Sequence, residues 1–67
     1  MNRYGLHMND GSVLMAIHPK NMTEFRRWLM ENAEEHPLPF RRVPTVGGGS
    51  AVVNVINIAY ITEEATE

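Results

Sequence analysis

Residues 50–61, SAVVNVINIAYI, carry no charged side chain and follow three consecutive glycines in a chain of only 67 residues. A strand built from them is apolar on both faces. One alternating set runs Ala51, Val53, Val55, Asn57, Ala59 and Ile61, and the other Val52, Asn54, Ile56, Ile58 and Tyr60. Half-buried strands alternate apolar with polar residues, so this one calls for cover on both sides.

Chain length makes that cover hard to supply. A domain of this size buries only about 60% of the surface its unfolded chain exposes, and ordering each residue costs roughly 1.5 kcal/mol, so its single core is marginal. Cysteine is absent, which removes disulfides and thiolate-ligated zinc as supports. Self-association is the simplest support left, because a bound partner stabilises the folded chain by mass action.

Local patterns place the remaining elements. Tyr4, Leu6 and Met8 alternate with Arg3, Gly5 and His7 in a first strand over residues 3–8, and a second apolar run covers 13–17. Between them, Asn9, Asp10, Gly11 and Ser12 predict a hairpin, by a type I turn with a glycine bulge or a type I′ turn. Asn21 with Glu24 three positions on is a capping-box variant, opening a helix over 22–35 whose stripe is Met22, Phe25, Leu29 and Ala33, with Trp28 beside it. Pro37 and Pro39 stop it. A third strand over 40–46 contains Pro44 and so belongs at an edge or carries a bulge. Gly47, Gly48, Gly49 and Ser50 turn the chain into a fourth strand over 51–61, broken near Asn57, and 62–67 reads as a frayed acidic tail.

The predicted architecture is a single α+β domain of ββαββ order, a four-stranded antiparallel sheet with one helix on one face. One helix shields one face, and nothing else in the chain shields the other. The uncovered residues Val52, Ile56 and Tyr60, with Trp28 and Met30 at the edge of the helical stripe, are therefore candidates for an interface in a homo-oligomer.

Site chemistry is sparse. Arg41 and Arg42 are the only charges between His36 and Ile61, and they lie close in sequence to Gly47, Gly48, Gly49 and Ser50, where backbone amides approach an anion readily. These six residues are the candidate ligand site, for a phosphate- or carboxylate-bearing small molecule. The spacing matches neither a P-loop nor a dinucleotide fingerprint. His7, His18 and His36 are too scattered for a metal site, and neither Ser12 nor Ser50 stands in a nucleophile motif, so no metal, cofactor or catalytic residue is assigned. Six basic against eight acidic residues give a net charge of −2, without the field of a non-specific nucleic-acid binder. MNRYGLHMND lacks an apolar signal core, and no apolar run approaches the roughly 18 residues of a membrane span. These features predict a cytoplasmic protein without membrane association.

Phe40, Arg41, Arg42 and Val43, then Ser50, Ala51, Val52, Val53, Asn54 and Val55 with Ile58 and Ile61, resemble the FxRVHRSxxVNxxxIxxI signature near the end of LytTR DNA-binding domains. In that family the region packs short strands, and its histidine-arginine portion approaches DNA. Residues 44–49, PTVGGG, stand here in place of that portion. The resemblance implies a DNA-binding regulator as one alternative, and a purely structural or protein-interaction subunit is another. The leading expectation is a small, non-enzymatic, oligomeric binding protein, similar in style to phage and mobile-element accessory proteins that bind a host protein or a nucleotide signal.

Overall fold

In a computed structural model, which describes residues 1–32 and 35–64, the order of elements is ββαβββ. Strand β1 (Asn2–Met8) pairs antiparallel with β2 (Val13–His18) on one side and with β5 (Ile58–Glu64) on the other, and β3 (Phe40–Pro44) pairs with β4 (Ser50–Asn54) in a separate ladder. Helix α1 (Met22–Leu29) lies between β2 and β3 in sequence. The expected four-stranded sheet is therefore replaced by five strands in two sheets, of three and two strands. An Ala16–Thr45 bridge, with its Val46 N–H to Met15 C=O bond of 3.1 Å, joins the two.

The correction arises inside the apolar run. Asn54 turns its side-chain oxygen back to the N–H of Ile56 at 3.2 Å, and Val55 donates its N–H to the Pro39 carbonyl at 2.8 Å. Residues Val55–Asn57 close a 3₁₀ turn, and the chain leaves in a new direction as β5. An asparagine that bonds the backbone two residues on competes with the strand ladder. The turn also changes which residues face inward: Val53 and Val55 enter the core, and beyond the turn Ile58 and Ile61 pack against it. Thr62, Glu63 and Glu64, expected in a frayed tail, pair with Gly5, Tyr4 and Arg3. Residues 65–67 of that tail lie outside the described residues.

The hairpin between β1 and β2 is the bulged alternative. Gly11 donates its N–H to Met8 and has φ of 92°, the left-handed position that a type I turn with a glycine bulge requires. The β3–β4 return uses Gly47 and Gly48 at φ of 102° and 96°. Strand β3 ends at Pro44, two residues short of the expected 46, because Thr45 and Val46 swing to the edge of β2.

Helix α1 starts where predicted, with the Asn21 side chain accepting from the Glu24 N–H at 2.9 Å. It is much shorter than 22–35, since Met30 and Glu31 bond back three residues, to Arg27 and Trp28, and close the last turn. Ala33, assigned to the apolar stripe, lies outside the described residues. The core gathers Tyr4, Leu6, Ala16, Phe25, Leu29, Val43, Val53 and Val55, with Tyr4 and Phe25 stacked at 4.3 Å between ring centroids.

Candidate functional site

Strand alternation sends neighbouring side chains to opposite faces, and β3 does this to the two arginines. Arg41 turns inward and retains only 9% of its exposure, with its guanidinium carbon 4.0 Å from the centre of the Trp28 ring. Its Nη1 makes a long 3.5 Å contact with the Glu31 carbonyl just beyond the end of α1, and its buried Nε has no hydrogen-bond partner among the described residues. Arg42 points outward, donating to Ser50 Oγ at 3.2 Å and pairing with Glu35 at 3.4 Å. Of the residues assigned to the anion site, the fold thus brings Arg42 to Ser50 and carries Arg41 away to the core. Gly47, Gly48 and Gly49 stay exposed in the turn.

Trp28 is half-buried between Arg41 and the His18 ring, which lies 4.4 Å from it. This position makes Trp28 a packing residue of the core margin. Burial lowers the His18 pKa below the ordinary histidine value, with the charges of Lys20 and Arg41 adding to the effect. The Lys20 N–H donates to His18 Nδ1 at 3.3 Å, which holds the neutral ring with its proton on Nε2. Burial likewise raises the pKa of Tyr4, whose hydroxyl donates to the Lys20 carbonyl at 2.6 Å.

The other interface candidates scatter over the surface. Val52 lies beside Arg42 on the outer face of β3–β4, and Ile56 is exposed on the 3₁₀ turn. Met30, 59% exposed, lines one feature that sequence reasoning missed, and Tyr60 borders the same feature as part of β5 while its ring stacks on His7 on the other face of the strand. This feature is an open groove of about 760 Å³ between α1 and β5. Leu29, Val55, Ile58 and Ile61 supply apolar walls, and Arg26 and Arg27 bring positive charge from the helix. Arg26 and Arg27 fall outside the apolar stripe of α1, and the strand that faces them, β5, becomes separate only once the chain turns at Val55–Asn57.

Beside this groove β5 is an edge. It pairs with β1 alone among the described strands, so alternate residues along its far side direct backbone N–H and C=O groups away from the sheet. A bulge where the register shifts between His7 and Met8 twists only the Ile58 end. Behind the edge, His7 and Thr62 meet at 2.9 Å and His7 stacks on Tyr60 at 4.2 Å, fixing the β5 side chains on the face away from the helix.

Among the described residues, no three His, Asp or Glu side chains group in a way that would hold a metal ion, and no helix is long and apolar enough to cross a membrane. The residues that carry the LytTR resemblance fall on β3, β4, the 3₁₀ turn and β5. No family model, curated protein or solved structure matches the chain.

Proposed function

We propose that this chain is a non-catalytic protein-binding module that accepts an extended segment of a partner at the free edge of β5. The observation that carries this reading is the juxtaposition of an unpaired strand edge with an apolar groove walled by α1. Strand addition draws affinity from main-chain hydrogen bonds and selectivity from pockets that take alternate side chains. Leu29, Ile58 and Ile61 suit apolar side chains on the helix side of the incoming strand, and Arg26 and Arg27 favour carboxylates among them. An anionic small molecule at Arg42, Ser50 and the glycine turn has weaker support, since Arg41 is committed to Trp28 and Arg42 to Glu35.

The chain has no cysteine, so Met30→Cys offers a unique attachment point for an environment-sensitive dye at the groove. Labelled protein at nanomolar concentration is titrated with acetylated heptapeptides that alternate apolar with acidic residues, and with peptides that alternate apolar with basic ones. A saturable response to the acidic series, absent when the dye sits at Val13→Cys, is the expected result. Equal responses to both series, or none, would remove the reading.

A further inference from the structure

We infer that the segment received at this edge is β5 of a second copy, the two strands pairing antiparallel across a twofold axis. This inference rests on the strand-addition reading and names its partner. Charge supplies the argument for the occupant. Glu63 pairs with Tyr4, and Tyr4 stacks on Phe25 of α1, so Glu63 projects on the helix side of the sheet. A register centred on Ile61 places Glu63 of each copy opposite Ala59 of the other. Ala59 lines the groove together with Arg26 and Arg27, so an acidic side chain enters each basic rim next to a residue small enough to leave it room. The same register brings the two Ile61 side chains together on the helix side, and sets Tyr60 opposite Thr62 of the other copy on the far face.

A charged residue on an edge strand ordinarily discourages pairing with other chains. Here the groove beside that edge carries the opposite charge, so Glu63 selects a partner instead of repelling all of them. The pairing is isologous: each copy gives one carboxylate and one basic rim, and the symmetry closes at two. The product is a six-stranded sheet with both helices on one side. It removes the free edge of β5, and it gives the most apolar sequence in the chain a partner on the side its own fold leaves open.

Sedimentation and native mass spectrometry test this with two charge-reversed variants at surface positions. One is Arg26→Glu with Arg27→Glu, and the other is Glu63→Lys. The wild-type chain is expected to dimerise, and each variant alone to self-associate more weakly by on the order of tenfold or more, since like charges then meet in both grooves. Mixing the two variants restores opposite charges at both contacts. The mixture is expected to form heterodimers in preference to either homodimer, which also shows that both variants are folded.

A wild-type chain that remains monomeric at high micromolar concentration overturns the second-copy inference. In that case, a Met30 dye that still responds to acidic peptides leaves the strand-addition reading intact. A dimer that forms equally well in each variant, with no preference for mixed pairs, also overturns the inference by placing the interface elsewhere.

Discussion

Arg41 and Arg42 are adjacent in sequence, yet they do different work. The first closes a cluster at the end of α1 in which the Trp28 ring lies between the Arg41 guanidinium and a His18 ring tilted 43° to it. Removing it uncovers the indole and leaves a void, so Arg41→Ala is expected to cost about 2 kcal/mol in urea unfolding, from the lost cation–π contact and packing. Arg42→Ala is expected to stay within about 0.5 kcal/mol of wild type, because its ion pair with Glu35 is exposed. Equal losses would mean that Arg41 does not pack as described. His18, in the same cluster, makes stability depend on pH. Its folded pKa lies below its unfolded one, so the unfolded chain binds the proton more readily. The stabilisation is complete above the unfolded value of about 6.5 and declines as pH falls through and below it. Urea midpoints at pH 7.5 and 5.5 should therefore differ more in wild type than in His18→Asn, and an identical pH dependence in both would contradict this. The two arginines appear in sequence as one basic patch, and only the alternation of β3 separates them.

At the scale of elements, what was legible was mostly what short-range chemistry decides. The hairpin (though not which of its two turn types), the Asn21 cap and the break near Asn57 all involve side chains that bond backbone a few residues away. The end of α1 and the separate identity of β5 were hidden because long-range contacts decide them. Arg41 lies against the carbonyl past the helix end, and β1 recruits the acidic residues after Ile61 into a ladder. The recruitment leans on Gly5, where an added Cβ would stand 2.8 Å from Thr62 Oγ1 and 3.2 Å from His7 Nε2. Gly5→Ala is thus expected to break the His7–Thr62 contact and destabilise by about 1–2 kcal/mol. Thr62→Ala removes the obstructing oxygen. In the double variant the two losses should fall short of additive by at least about 0.5 kcal/mol, and strict additivity would show that the crowding is relieved elsewhere.

The whole molecule is two ladders of unequal security sharing one core. The three-stranded sheet is closed by the first and last strands of the fold, so β1 is paired on both sides and cannot open without separating β2 and β5. Among the described residues, the β3–β4 hairpin is tied to it through the Ala16–Thr45 bridge, to which the Val46–Met15 bond belongs, and by Val43, Val53 and the inward-facing Arg41. Regions with fewer buried contacts open at lower free energy than the global transition. Native-state hydrogen exchange should then show two classes of amide. Those of β1 exchange only through global unfolding, with a free energy that falls with denaturant as steeply as the global one. Those of β3 and β4 exchange through a smaller opening with a weaker denaturant dependence. Arg41→Ala should widen the gap, because it loosens the hairpin while leaving both ladders of β1 in place. Identical exchange free energies across the two sheets would mean that the bridge and the Arg41 stack bind the ladders into one cooperative unit. The apolar run would then act as the joint between the sheets, since its first half belongs to the hairpin and its second half closes the larger sheet.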